Sequence, residues 1–405
     1  MLKKKFLQIE FILLMASLMS SVAIAIDALL PALDIIGLSI GTVDPSNNQL
    51  IIIMIFLGLG IGPLFFGPIS DSIGRKPVVY MGFFGFIISS FICVYAKNIE
   101  TMIFGRILQG IALSAPRTIS IAMIRDSYSG DYMARIMSFV TVVFLLVPVI
   151  APAIGKAILD SYNWQAIFYI QIIFTILVGI WFWKRQPETL KKENKMKLQF
   201  SIFTNGFKEI LKYPKTIGYT LISGFIVGSF LVYLSTAQQI FQEQYGLKNE
   251  FPYIFAALAI AIGMATFLNG TFVLKFGMEK LIRTSLFGYF GTSLLYIILF
   301  YGNVNPSVIV LLLFFGVQFF MVGFLFGNLR AMAMEPIGHI AGIGAAITGF
   351  VSTIMSVPIS TFIGKYVENT ALPLFIGFLI CAIFSLLIFG YLKMTQKTKK
   401  TIKSF

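Results

Sequence analysis

The sequence predicts an all-α polytopic membrane protein with twelve transmembrane helices in two pseudo-symmetric six-helix halves. The 405-residue chain is 58% hydrophobic and 12% charged, and its mean hydropathy is +0.89. Soluble domains are typically about 25% charged and about 45–50% apolar, so the composition excludes a soluble class. The net charge of +14 does not indicate a nucleic-acid partner, because Lys and Arg concentrate in loops between apolar runs.

The segmentation of the chain gives the number of spans. Twelve apolar runs are long enough to cross about 30 Å of hydrocarbon at about 1.5 Å per residue. The first run follows three lysines, but it is too long for the apolar part of a signal peptide and contains Asp27, so we interpret it as a span. The predicted spans are 11–32, 49–69, 78–96, 101–124, 134–158, 164–184, 216–240, 252–275, 281–301, 306–330, 340–366 and 372–392.

The distribution of basic residues gives the orientation and the domains. Most of the 31 Lys and Arg residues flank the spans on the side of the N-terminus, so we expect cytoplasmic N- and C-termini. The longest polar stretch separates the sixth and seventh spans. We predict an N-terminal half at 1–185, a cytoplasmic linker at 186–215 with a surface helix near 203–211, and a C-terminal half at 216–405. A Val-Pro pair followed by Gly-Lys recurs in the fifth and eleventh spans, which supports an internal repeat.

A charged stretch at 67–77 lies between the second and third spans. We expect Gly67, Gly74 and Pro77 to shape a sharp turn, and the charged side chains to stay at the membrane surface and pair there. A plain charged hairpin is the alternative. The acid at the inner end of the fourth span is expected to help clamp this loop. The residues assigned to the conformational loop are Gly67, Asp71, Gly74, Arg75, Lys76 and Asp126.

Two charges within spans are candidates for proton coupling. A charge at the centre of a span costs about 2.5–3.5 kcal/mol, so its presence needs a reason. Asp27 lies deep in the first span, and Arg106 lies early in the fourth without an acid at helical spacing, so its partner must come from another helix. Burial disfavours a charged carboxylate and a nearby cation favours it, so Asp27 could load and release a proton. A permanent structural pair is the alternative.

Further polar and helix-bending residues lie inside the spans. Arg117 follows Arg106 by about three helical turns, so the two share a face and indicate a polar cavity. Pro148, Pro152 and Gly155 share a face of the fifth span and indicate a bent, tightly packed helix. Interhelical hydrogen bonds are the alternative role for the glutamines. The predicted cavity residues are Asp27, Arg106, Gln109, Arg117, Gln238 and Gln318.

The sequence lacks the motifs of the main enzyme classes. It has no phosphate-binding loop, no zinc spacing and no nucleophile elbow, and its two cysteines lie inside apolar runs. We therefore expect no enzymatic activity, no metal and no cofactor, with an ion gradient as the energy source.

Several motifs together resemble the major facilitator superfamily. The stretch 67–77 resembles its signature loop, and Arg-x-x-Gln-Gly at 106–110 resembles its fourth-helix motif. The Pro-x-x-x-Pro-x-x-Gly pattern at 148–155 resembles the antiporter motif. Asp-Ala-Leu-Leu-Pro-Ala-Leu at 27–33 and Met-Glu-Pro-x-Gly-His-x-Ala-Gly at 334–342 are similar to the bicyclomycin-resistance (Bcr/CflA) branch of drug–proton antiporters.

The resemblance implies a function and its partners. It implies a monomeric secondary transporter of the bacterial inner membrane that exports drug-like compounds or metabolites by proton antiport and alternating access. It also implies that Asp27 and Arg106 take part in proton coupling and substrate binding. The implied partners are a small-molecule substrate, protons and the lipid bilayer. Lys156, Gln165 and Arg117 depart from the family pattern, and the extra cations fit an anionic or zwitterionic substrate better than a cationic drug. The alternatives are a proton-coupled importer of a small nutrient and, less favoured, a membrane sensor without transport.

Overall fold

The computed structural model describes residues 2–191, 193, 195, 201–302 and 305–403. The described chain is built of helices joined by short turns and contains no strand. Twelve of its helical segments are long and apolar enough to cross a membrane, and each overlaps one predicted span, so the twelve-helix prediction is confirmed. The protein is a multi-pass membrane protein.

The helices group into two compact units. The first unit comprises residues 1–200 with 249–256, and the second comprises 201–248 with 257–405. The helices up to residue 200 are α1 (Leu2–Asp27), α2 (Leu33–Ser39), α3 (Leu50–Ile73), α4 (Arg75–Val94), α5 (Ile99–Ser127), α6 (Gly130–Ser161) and α7 (Trp164–Arg185). The later helices are α8 (Ser201–Ile210), α9 (Pro214–Gln238), α10 (Phe251–Phe276), α11 (Met278–Phe300), α12 (Val308–Met334), α13 (Ala341–Gly364) and α14 (Leu372–Lys403).

The first span is a broken helix. Helix α1 ends at Asp27, a 3₁₀ turn covers Leu30–Ala32, and α2 continues to Ser39. Pro31 explains the break, because proline has no N–H to donate and its ring clashes with the carbonyl group four residues earlier, which is that of Asp27. The break therefore places the buried acid at the end of a helix rather than in its middle.

The turn between α3 and α4 is shorter than the sequence indicates. Helix α3 runs to Ile73 and α4 begins at Arg75, so Gly74 alone lies between them, with a φ of 122°. The expectation that Gly67 and Pro77 shape the turn is wrong. Gly67 lies inside α3, and Pro77 lies in the first turn of α4, where a missing N–H costs no helical hydrogen bond.

The second unit repeats this turn. Gly277, with a φ of 78°, lies alone between α10 and α11. A positive φ of this size is accessible to glycine but strained for residues with a Cβ atom, so both turns depend on glycine. The acid is placed differently in the two turns: Asp71 precedes Gly74 by three residues, whereas Glu279 follows Gly277 by two.

The described part of the linker contains the expected surface helix, as α8. Residues 192, 194 and 196–200 of the predicted linker lie outside the described residues. Helix α8 packs on α13, where a Cβ atom at Gly206 would lie 2.9 Å from Ile347 Cδ1. Glu209 Oε1 of α8 lies 3.4 Å from His339 Nε2, and Lys215 Nζ lies 2.6 Å from Glu335 Oε2. These contacts join the end of the predicted linker to the 3₁₀ turn Glu335–Ile340 between α12 and α13.

Candidate functional site

Arg106 is a fully buried cation held by neutral oxygen atoms. Its side chain is 0% exposed. Its Nε donates to the Ile51 carbonyl at 2.7 Å, and its Nη1 donates to the Ala25 carbonyl at 3.0 Å and to Gln109 Oε1 at 2.7 Å. Its Nη2 has no hydrogen-bond partner among the described residues. The guanidinium group therefore links α1, α3 and α5 and keeps one donor open.

The bond from Arg106 to Ala25 arises from the break in α1. In an unbroken helix the Ala25 carbonyl would accept from the Leu29 N–H, but that N–H donates to the Ile26 carbonyl instead, at 3.3 Å. The Ala25 carbonyl is then a buried acceptor that needs another donor, and Arg106 supplies it. Arg106 thus reaches the backbone two residues before Asp27.

Asp27 is a buried acid at the same break. Its side chain is 5% exposed. In the part of the chain that the structure describes, neither Arg106 nor any other cation forms an ion pair with it. The sequence predicts an acid from another helix as the partner of Arg106, whereas the recorded acceptors of its side chain are two backbone carbonyl oxygens and one amide oxygen. An ionised carboxylate here would be costly, so the site favours a neutral carboxyl group in this conformation.

The predicted antiporter helix packs directly on this break. Gly155 of α6 is buried, and a Cβ atom at this position would overlap the carbonyl oxygen of Ala28, the residue after Asp27. Glycine therefore allows the α6 backbone to touch the break. Pro152 is buried and Pro148 is half-buried, both within the continuous helix α6. Three predicted residues therefore meet the same break: Asp27 ends α1 there, Arg106 bonds to the carbonyl before it, and Gly155 packs on the carbonyl after it.

Gln109 and Gln318 form matching interhelical hydrogen bonds in the two units. Gln109 Nε2 donates to Ser90 Oγ at 2.8 Å, and Gln318 Nε2 donates to Ser293 Oγ at 2.9 Å. Each bond joins the fourth long helix of its unit to the third, and both glutamines are fully buried. The side chain of Gln109 also accepts from Arg106, so it positions the guanidinium group.

The remaining predicted cavity residues lie elsewhere. Arg117 is half-buried on α5, about three turns after Arg106. Gln238 is 3% exposed at the end of α9, and its Nε2 lies 3.3 Å from Gln242 Oε1, within the π-helical turn that follows. Lys156, which departs from the family pattern, pairs with Asp160 one turn later at 2.9 Å.

The conformational-loop residues form a compact ionic network at the α3–α4 turn. Arg75 Nη1 lies 2.5 Å from Asp71 Oδ1 and donates to Ser70 Oγ at 2.8 Å, and Arg75 Nε lies 2.9 Å from Asp126 Oδ2. Arg75 is 8% exposed. A guanidinium group that binds two carboxylates ties the ends of α3, α4 and α5 together. Lys76 lies at the edge of this network, and its Nζ donates to the Trp183 carbonyl at 3.4 Å.

Glu188 belongs to this network and was missed in the sequence analysis. Its carboxylate accepts the backbone N–H groups of Arg75 at 3.1 Å, Lys76 at 3.0 Å, Thr189 at 2.9 Å and Leu190 at 3.0 Å. Burial disfavours its charge, but these four bonds outweigh burial and lower the pKa of Glu188 below its ordinary value. The available signal was one acid, directly after a proline, at the start of a basic segment.

Comparison with known proteins identifies the family. The model of the Major Facilitator Superfamily matches residues 11–358. A bicyclomycin resistance protein homolog of Haemophilus influenzae is 28% identical over 366 residues, which cover 89% of each chain. The multidrug resistance protein MdtL of Klebsiella pneumoniae is 26% identical over 332 residues, which cover 82% of each chain.

A solved structure shows the same fold. The crystal structure of a D-xylose-proton symporter superposes with a TM-score of 0.71 at 14% identity, over 93% of this chain and 96% of that chain. The match in sequence extends across most of the chain, and the match in structure covers both units. The chain belongs to the Major Facilitator Superfamily and is a membrane transporter rather than an enzyme.

Proposed function

We propose that this transporter exports small molecules from the bacterial cytoplasm across the inner membrane by proton antiport, with both termini in the cytoplasm. The names of its relatives support a drug-like or antibiotic substrate, since they are a bicyclomycin resistance homolog and a multidrug resistance protein. The excess of Lys and Arg on the side of the N-terminus supports the orientation. The energy source in this proposal is the proton gradient, and the working unit is the monomer.

The burial of Asp27 at the α1 break, to which Arg106 is hydrogen-bonded through the Ala25 carbonyl, carries the proposal. A neutral Asp27 fits its dry surroundings, whereas an ionised Asp27 needs a cation or water. Arg106 is the candidate cation, because it bonds to the carbonyl of Ala25, two residues before Asp27, and its Nη2 has no hydrogen-bond partner among the described residues. In the proposed cycle, loss of the proton draws the Asp27 carboxylate towards Arg106, and protonation releases it.

The break in α1 allows a change of charge at Asp27 to move the neighbouring helices. Residues 28–32 leave the α-helical path, and α6 rests on the break through Gly155. A shift of the carboxylate therefore acts on two helices at once. In an alternating-access cycle the same shift would favour one conformation when Asp27 is neutral and another when it is ionised. The network at Arg75 and Asp126 would hold the cytoplasmic ends in one of these conformations.

The charged side chains within the spans of the first unit indicate which substrate charge the site would accept. Arg106 and Arg117 are two cationic side chains within the spans of the first unit, and Asp27 is a buried acid of the same unit. A neutral, zwitterionic or anionic substrate would meet less repulsion in such a site than a dication. Bicyclomycin, named by a relative, is the first compound to test.

Everted membrane vesicles test the proposal directly. Respiration acidifies their interior, a pH-sensitive dye reports the gradient, and bicyclomycin and a panel of cationic, neutral and anionic compounds are added in turn. We expect at least one compound to dissipate the gradient in vesicles with the wild-type protein and not with Asp27→Asn. Asp160→Asn is the control, because Asp160 is an exposed acid paired with Lys156 at the end of α6. Equal dissipation by Asp27→Asn would contradict proton coupling at Asp27.

A further inference from the structure

The segment that follows α7 is bound to the α3–α4 turn by its own side chains. We call the described residues 186–191, 193 and 195 the strap. The strap leaves α7 at Arg185 and passes over the turn at Gly74. Its contacts there come from Glu188, Thr189 and Lys195. The start of the linker is thus attached to the signature turn of the first unit.

Glu188 occupies the N-terminus of α4. The first N–H groups of a helix have no partner within the helix, and the end carries a partial positive charge. Glu188 accepts the N–H groups of Arg75 and Lys76, the first two residues of α4, from more than 110 positions along the chain. A Cβ atom at Gly74 would lie 2.8 Å from Glu188 Oε2, so the carboxylate also fills the space that any larger residue at 74 would need.

The other strap contacts match the charges of the turn. Lys195 Nζ donates to the carbonyl of Ile73, the last residue of α3, at 3.4 Å. A cation there complements the negative end of α3, as the Glu188 carboxylate complements the positive end of α4. Thr189 Oγ1 donates to Asp126 Oδ2 at 2.9 Å, the same oxygen that accepts from Arg75 Nε. The strap therefore holds both the backbone and the acidic partner of Arg75.

We propose that Glu188 is a positioning residue of the transport cycle, which fixes the start of α4 so that Arg75 stays bound to Asp126, and that the strap must leave the turn before α4 and α5 can separate at their cytoplasmic ends. The proposal rests on the alternating-access function for its role in transport. Its structural part, the dependence of the turn on Glu188, stands separately from that function.

Hydrogen exchange on the full-length protein in lipid nanodiscs tests the structural part. In Glu188→Gln the amide group replaces one acceptor oxygen by a donor, so at least one N–H of α4 loses its partner. Loss of a charge-assisted bond of this kind predicts about tenfold faster exchange at residues 75–76. Glu193→Gln is the matched control, because Glu193 is an exposed acid of the same strap and removes the same charge. Equal exchange in the two variants would overturn the proposal.

A distance measurement tests the release of the strap. Spin labels at Lys191 and Ser127, both exposed, report the separation between the strap and the end of α5. We expect a single short distance in the wild type and in Glu193→Gln, and an added population at longer distances in Glu188→Gln. A distribution unchanged by Glu188→Gln would overturn the release step, even if exchange at α4 increased.

The transport readout separates positioning from substrate binding. In the vesicle assay with bicyclomycin, Glu188→Gln is expected to change the maximal rate of gradient dissipation several-fold and to leave the concentration for half-maximal response unchanged. An unchanged maximal rate would reduce Glu188 to a structural cap and contradict its role in the cycle. If bicyclomycin gives no response in the wild type, the proposed function loses its first substrate, while the exchange and distance measurements still decide the fate of the strap proposal.

Discussion

Replacing Arg106 by lysine tests whether this residue acts by charge alone. The guanidinium group uses two different nitrogen atoms to reach Ile51 at 2.7 Å and Ala25 at 3.0 Å, and one of them also reaches Gln109 at 2.7 Å. A lysine ammonium is a single point on a shorter side chain, so it cannot replace both nitrogens. At least one buried carbonyl group loses its donor, while the cost of burying a charge remains.

The size of the effect follows from that count. One unsatisfied buried acceptor costs about 1–3 kcal/mol, so Arg106→Lys should lower the free energy of unfolding by that amount per lost bond. Arg106→Met leaves all three acceptors without this donor, and the removal of a buried charge offsets only part of that cost. We therefore expect both variants to be less stable than the wild type, Arg106→Lys by at least one lost bond.

Thermal unfolding in detergent, followed by tryptophan fluorescence, compares the two variants with the wild type. Everted vesicles that contain each variant report the dissipation of the pH gradient, and we expect its rate to fall at least tenfold in both variants. A lysine variant with wild-type stability and wild-type transport would refute the reasoning, because it would show that the three hydrogen bonds carry no weight and that any cation suffices.

Three further predictions concern glycines and the linker. Gly155→Val should abolish transport, since its side chain overlaps the carbonyl at the α1 break, whereas Gly263→Val, which meets no atom within 4 Å, should keep it in the same assay. Gly74→Ala should be strongly destabilising because of its φ of 122°, whereas Gly67→Ala, inside a helix with open space, should be neutral or up to about 1 kcal/mol more stable in thermal unfolding. A hydrogen bond from Lys212 holds the pKa of Glu209 below its ordinary value, so the contribution of Glu209 is present near neutral pH and is lost as the pH falls through that lowered value. The hydrogen-exchange protection factors of α8, which correct for the intrinsic pH dependence of amide exchange, should therefore fall below about pH 4.

The sequence was sufficient for the segmentation because the cost of placing charges in lipid acts locally. Apolar runs and basic loops mark the spans and their ends wherever they occur, so twelve spans could be predicted without any contact information. The break at Pro31 and the single turn at Gly74 are also local features. The break was not predicted, and the length of the turn was overestimated. The pattern at 67–77 looks like an eleven-residue loop because proline and glycine are common in turns. In this fold Pro68 lies within a helix instead.

The partners of the buried charges could not be predicted for a different reason. Arg106 binds backbone carbonyl groups of Ala25 and Ile51, which every residue has and no sequence motif marks. The sequence pattern predicts an acidic side chain as the partner, whereas these two partners are backbone carbonyl groups. Glu188 was missed because its ligands are also backbone groups, the N–H donors at the start of α4.

We propose that the proton carried in transport is the proton of Asp27. The most direct test compares two modes of transport in proteoliposomes with a compound that responds in the vesicle assay: net efflux driven by an imposed pH gradient, and exchange of substrate for substrate without a gradient. We expect that Asp27→Asn, which stays neutral, loses gradient-driven efflux and keeps exchange, while Asp160→Asn keeps both. Gradient-driven efflux at the wild-type rate in Asp27→Asn would contradict it.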